Sequence, residues 1–273
     1  MYIYQVYHKK EQESKLLKEP YIIPYYVGEN KGINHLHVEL NEFVCQYYIY
    51  KYEKYNDDDI VGIYHYRRFY IPSEEEISII ENNVKNTNNI YALQWYNIKE
   101  VLEYNDKNNF LFVTLKDYIF KKYPEMLSKF ENLDWYYKSV RFECFISRYD
   151  DFCKYVEFVL GYFNHMGVNI EKCDEQTIKN KIDNNMFVID YYYYNKHSWY
   201  LDKDNHYRIF SYIIELLCGL YWSLFGKNFN GLWSDGIHHI KIGNNIDVDH
   251  TYDSPHNIGG APSERGRWYE FCK

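Results

Sequence analysis

The sequence predicts an α/β domain over residues 1–242, with a mostly parallel central sheet flanked by helices, and an irregular tail over 243–273. Three observations predict it. Short apolar, β-prone runs alternate with longer stretches whose apolar residues recur at helical spacing. Helix-capping signatures stand where several of the longer stretches begin. From Gly243 onward the chain is rich in Gly, Asn, Asp and Pro and has no periodicity. Strands alternating with helices favour parallel pairing, and such sheets gather ligands at the C-terminal ends of their strands. With 273 residues and 46% hydrophobic content the chain can bury one substantial core.

The elements follow in order. Residues 1–7 form a first strand that empties into His8, Lys9 and Lys10. Ile33, Leu36, Leu40, Phe43, Val44 and Tyr47 keep helical spacing and predict one amphipathic helix over 33–52. Asp57, Asp58 and Asp59 close a turn before a strand at 60–64. Ser73 with Glu76 three residues on is a capping box, so a helix runs over about 74–85. A strand is expected at 90–95. Thr114 with Asp117 repeats the capping signature and opens a helix toward Pro124. A strand at 142–147 precedes a helix capped by Asp150 or Asp151 and reaching Met166. Another strand falls at 187–194, and a long helix over 206–225 ends at Gly226.

Charge excludes one class of partner. The net charge of −8, without a run of Lys or Arg longer than a pair, offers nothing to a polyanion, so nucleic acid is not expected. The six cysteines are scattered and form no C-x-x-C pair, which argues for reduced thiols in a cytoplasmic protein rather than a zinc site or a disulfide framework. The start, MYIYQVYHKK, lacks the pattern of a secretory signal. The most apolar window, 209–225, carries Ser211, Glu215, Gly219 and Ser223 every fourth residue, a polar seam on a buried helix. Peripheral contact with a membrane surface stays open. Aromatics are 21% of the chain, and counting does not separate sugar-stacking tyrosines from an AT-rich genome.

The stretch GIYHYRRFYIP, 62–72, is unusual because a buried strand ends in His65, Tyr66, Arg67 and Arg68. Together with EFVCQYYIYKY, 42–52, it resembles the E-L-T-x-L-Y-W-x-W-K-N and Y-I-G-L-C-H-Y-R-R-Y-F blocks of domain of unknown function 4422, a family of polysaccharide-synthesis proteins. MYIYQVYHK, YIIPYYVG, FECFISRYDDFCKYVEFVL and YRIFSYIIELL are similar to further blocks of that family, in order, over about residues 1–221. The resemblance implies a glycosyltransferase of GT-A type, a single Rossmann-like domain that uses a nucleotide sugar, a UDP-sugar in the favoured case, to extend a capsular or surface glycan. Glu143, Ser211 and Leu216 depart from the family pattern, where Asn, Gly and Arg stand.

Glycosyl transfer leaves negative charge on the departing diphosphate, which a site must meet with fixed positive charge or hydrogen-bond donors. GT-A folds commonly hold a divalent metal on Asp-x-Asp at a strand end. His65-Tyr66-Arg67 stands at the comparable place here, which implies a metal-independent site with no cofactor required. Alternation along an extended strand would put His65 and Arg67 on one face and Tyr66 and Arg68 on the other. A pairing of these arginines with structural carboxylates is the competing explanation. His8 and Lys9, after the first strand, are expected at the donor with His65, Arg67 and Arg68; a solvated loop is their alternative.

Glu42 is expected to support an arginine of the block. Arg208 and Glu215, seven apart on one helix, form an ionic seam or touch a sugar. Glu143 is the candidate general base, with Asp134, Asp150 and Asp151 as others. Asp247, Asp249 and His250 are the fallback ligands if a divalent Mn or Mg ion is used; turn chemistry is the plainer account of them and of Asp202 and Asp204. The glycines around Gly259, with Arg265 and Arg267, have an anion-binding composition that suits a lid over the donor or a disordered or partner-binding terminus. The alternative to an enzyme is a noncatalytic glycan-binding or assembly protein on a degenerate transferase scaffold.

Overall fold

The computed structural model describes residues 1–66, 68–87, 89–92, 95–97, 110–132, 138–140, 143–183, 209–231 and 268–270. β1 (Tyr2–Tyr7) pairs in parallel with β2 (Ile22–Tyr26) on one edge and with β3 (Ile60–His65) on the other, with Val6 opposite both Tyr25 and His65. β4 (Arg68–Tyr70) follows and pairs antiparallel with β3, with His65 in register opposite Arg68. Further on come α3 (Glu74–Asn86), after α1 (His37–Leu40) and α2 (Phe43–Tyr52), then β5 (Asn89–Ala92), β6 (Trp95–Asn97), α4 (Phe110–Lys122) and α5 (Leu127–Glu131). β7 (Lys138–Val140), β8 (Phe145–Arg148), α6 (Tyr149–His165), α7 (Glu175–Asp183), α8 (Ile209–Leu224), β9 (Asn228–Gly231) and β10 (Trp268–Glu270) complete the described elements.

The sheet is mixed, which corrects the mostly parallel expectation. β1–β2, β1–β3 and β5–β9 are parallel, whereas β3–β8, β5–β8, β3–β4 and β4–β10 are antiparallel. A two-residue connection such as the one from β3 to β4 can close only an antiparallel pair. β6 and β7 form a separate antiparallel ribbon. Strand direction after a long connection is not written in the hydrophobic pattern, so β8 reads the same either way.

Both faces of the sheet are covered, and period-2 alternation sorts the side chains between them. Tyr4, Val6, Val61, Ile63, Ile90, Ala92 and Phe145 enter the larger core with α2, α6 and α8. Ile3, Ile60, Tyr64, Tyr91 and Ile146 enter a smaller one, closed by Ile80 and Val84 of α3. Each fully buried aliphatic or aromatic side chain contributes about 1.5–3 kcal/mol. α8 is buried along most of its length, and no helix among the described residues is long and apolar enough to cross a membrane.

Local chemistry explains most helix ends. Ser73 and Glu76 form the expected capping box, with Ser73 N–H donating to Glu76 Oε2 at 2.6 Å and Glu76 N–H to Ser73 Oγ at 3.3 Å. α8 stops before Gly226, whose φ of +73° suits glycine. Three expectations change. The helix over 33–52 is interrupted at Asn41, where φ is +47°. Thr114 lies inside α4 rather than at its start, and its hydroxyl meets the Tyr162 hydroxyl at 2.9 Å. Part of the tail is regular, since β10 pairs with β4. The strand expected at 187–194 lies outside the described residues.

Gly62 marks a close approach of β3 to β8. A Cβ there would stand 2.8 Å from Ile146 Cγ1 and 3.0 Å from the Phe145 carbonyl oxygen. Gly62→Ala is therefore expected to destabilise the domain by about 1–3 kcal/mol, the usual cost of overpacking. Urea denaturation checks this: an unchanged midpoint would show that β3 and β8 are not so tightly apposed.

Candidate functional site

Parallel neighbours end side by side, so β1 and β3 deliver two histidines to one place. His65 is the last residue of β3, and His8 directly follows β1. The Gln12 side-chain oxygen holds the turn after β1, accepting from the N–H groups of His8 at 2.9 Å and Lys9 at 3.0 Å. Glu42 arrives from the break between α1 and α2. Its Oε1 lies 3.6 Å from His8 Nε2 and 3.6 Å from His65 Nε2. The side chains of Glu42 and His65 are 5% and 7% exposed, and that of His8 is 24% exposed.

Asn41 sets the angle of that arrival. Its φ of +47° with ψ of −129° is costly for a residue with a side chain. Asn41 Nδ2 donates to Ser211 Oγ on α8 at 2.8 Å, which ties the break to the core. Ser211, one of the departures from the family pattern, thus has a structural partner beside the site. Leu216, another departure, is buried in the larger core.

Two carboxyls are driven in opposite directions here. Burial pushes the Glu42 carboxyl up, but the contact with His8 and the charges of His65 and His8 outweigh it and hold the group at about 2. Glu143 goes the other way: burial first, then the negative charges of Glu42 and Glu215, hold it well above the usual carboxylate range. Glu143 has φ of +53°, and its buried Oε2 has no hydrogen-bond partner among the described residues. Its carbonyl oxygen accepts from Gln46 Nε2 at 3.3 Å, one helical turn beyond Glu42. Glu42 is thus held toward its ionised form and Glu143 toward its protonated one.

Aromatic rings wall the imidazoles. Tyr66 lies 4.3 Å from the His65 ring and 5.8 Å, edge-on, from the His8 ring. The His37 ring stands 6.2 Å from that of His8, and its Nδ1 donates to the Asn34 carbonyl at 3.0 Å. Only a protonated Nδ1 can make that bond, so in the neutral ring the lone pair sits on Nε2.

The structure therefore unites His8, Glu42 and His65, and sets Glu143 nearby. Glu42 was expected to hold an arginine; among the described side chains its partners are imidazoles. The alternation expected through His65, Tyr66, Arg67 and Arg68 falls largely on side chains outside the described residues; β3 ends at His65, which stands in antiparallel register opposite Arg68 of β4. Lys9 is exposed and contributes its backbone N–H to the turn. Glu215 is half-buried on α8 and acts on Glu143 through its charge. Arg67, the Arg68 side chain, Arg208, Asp134, Asp247, Asp249 and His250 lie outside what the structure describes.

Asp150 and Asp151 are ion-pair residues of the first turn of α6. Asp150 accepts from Lys154 at 2.6 Å, and Asp151 accepts from Lys227 at 2.7 Å and Arg148 at 3.1 Å. Sequence reading missed His37, Gln46 and Asn41. The Glu42-x-x-x-Gln46 spacing, one helical turn, was the available signal for Gln46.

No protein-family model matches the chain, and no curated protein does. Among solved structures the chain is similar to the apo structure of WbbM, a bifunctional glycosyltransferase, with a TM-score of 0.52 and 15% identity over 84% of this chain. The match spans 43% of the length of that protein. The likeness shows a glycosyltransferase-like fold.

Glu143 generates a pH prediction. An unfolded glutamate titrates near ~4.3, below folded Glu143. Between those two values the folded state binds more protons, so stability falls as pH rises through that window. Glu143→Gln removes the loss. Its melting temperature is expected to exceed that of the wild type at pH 8, with the gap closing toward pH 4. Parallel pH profiles for the two proteins would contradict the assignment.

Proposed function

We propose that the protein is a glycosyltransferase that takes a sugar from a nucleotide-sugar donor, a UDP-sugar in the favoured reading, and passes it to a glycan acceptor in surface-polysaccharide synthesis. One observation carries this reading: a His-Glu-His group, buried at Glu42 and His65 and partly open at His8, stands at the C-terminal ends of parallel strands, in a glycosyltransferase-like fold.

The donor diphosphate would lie over β1 and β3. Bond cleavage between the sugar and the diphosphate places negative charge on the leaving oxygen, and preorganised donors lower that barrier most. His65 and His8 supply N–H groups for this, with Glu42 fixing the orientation of both rings. Arg67 and Arg68 add charge that cannot be lost to solvent. Glu143, whose raised pKa favours the acid form, suits a hydrogen-bond donor to a sugar hydroxyl better than the general base expected from sequence. β10 runs beside β4, so residues 268–270 share an edge with the strand that follows His65.

The same property of Glu143 favours a second reading, a noncatalytic glycan-binding protein on this scaffold. Among the described residues, a Glu143 held in its acid form leaves an inverting transfer without an evident base.

A melting-temperature panel of nucleotide sugars, followed by assay of nucleotide release, separates the two. A transferase is expected to be stabilised by UDP and one UDP-sugar, by about 2.7 kcal/mol at a hundredfold excess over Kd. His8→Ala should weaken that binding about tenfold, or ~1.4 kcal/mol. No stabilisation and no turnover with any nucleotide sugar, together with glycan binding, would establish the noncatalytic reading.

A further inference from the structure

We propose that His8, Glu42 and His65 form a binding site for a divalent transition-metal ion. The three ligating atoms, one from each residue, all lie within 4.8 Å of one another. Their spacing distinguishes a metal site from a hydrogen-bonded group. Each imidazole nitrogen stands 3.6 Å from the Glu42 oxygen. Hydrogen-bonded N–H···O partners stand about 2.7–3.2 Å apart, so neither contact is a good hydrogen bond. Ligands held about 2.1 Å from one tetrahedral ion stand about 3.4 Å from each other, close to the spacing here.

Three rigid pieces of backbone supply the ligands: the end of β1, the Asn41 break and the end of β3. Asn41 bonds Ser211, and Gln12 holds the turn that carries His8. Such outer contacts fix ligand orientation. Glu42 and His65 are buried while His8 is partly open, which leaves one side for a water or a phosphate oxygen. Three protein ligands and an open position make a site of the catalytic rather than the structural kind.

Two imidazoles and one carboxylate select zinc, manganese, cobalt or ferrous iron over magnesium, which prefers an all-oxygen shell. The set is unlike Asp-x-Asp and is separate from Asp247, Asp249 and His250. It also departs from the metal-free site expected from sequence. The binding claim is independent of the proposed function. Its role rests on that reading: the ion would face the departing diphosphate.

The test is titration of the chelator-stripped full chain with cobalt(II), followed by absorption spectroscopy and calorimetry. One equivalent is expected to bind, with visible bands of a low-coordinate nitrogen and oxygen site, and excess magnesium should not displace it. His8→Ala and His65→Ala should each weaken binding at least about tenfold while retaining the wild-type circular dichroism. Since Glu42 is buried and its variant could misfold, the partly exposed His8 carries the test. No saturable cobalt binding would overturn the site, as would one equivalent that both variants leave intact. Nucleotide-sugar binding that persists without any cobalt site would overturn the metal and spare the transferase. Cobalt binding without any nucleotide-sugar response would do the reverse.

Discussion

A buried, ionised carboxylate between two imidazoles is the constraint on which this part of the molecule depends. Removing a charge from water costs several kcal/mol unless partners replace the lost hydration. Glu42 has such partners only because β1 and β3 are parallel neighbours that end together, with Val6 opposite His65. One residue of slip between those strands would turn His65 to the other face of the sheet. The extensive burial on both faces thus has a local consequence, which is to hold that register. The strained backbone at Asn41 fits the same account. A continuous helix over 33–52 would carry Glu42 in a different direction, and the bond to Ser211 helps offset the cost of the break.

The second consequence is electrostatic. Glu42 and Glu143 are joined through Gln46, and the charge of the first helps keep a proton on the second. One carboxyl can hold cations or orient imidazoles, while the other donates a hydrogen bond. Divergent pKa values in one place are the usual signature of divided chemical roles. Glu215 reinforces the division from α8, so a residue read as a contact on the polar seam acts at a distance.

Much of the fold was legible because it rests on local rules. The capping box at Ser73, the glycine after α8 and the apolar, β-prone runs of β1 and β3 each follow from short-range chemistry. Strand direction was not legible, since β8 pairs with β3 and β5 across long stretches of chain and its apolar pattern is symmetric. The break at Asn41 was hidden because apolar spacing continues through it. His65 and His8 could be picked out as polar residues at strand ends, yet their meeting with Glu42 could not. That meeting depends on the β1–β3 register and on the backbone at one asparagine. The roles of Arg67 and Arg68 rest on the sequence motif, with the hairpin position of Arg68 as its structural counterpart.

A double-mutant cycle between Glu42 and His65, using Glu42→Gln and His65→Ala with stability from urea denaturation, tests the central claim most directly. If the two side chains belong to one coupled unit, the loss in the double variant will differ from the sum of the single losses by about 0.5–3 kcal/mol. Losses that add to within about 0.5 kcal/mol would show that the residues act independently, and the account of the site would fail.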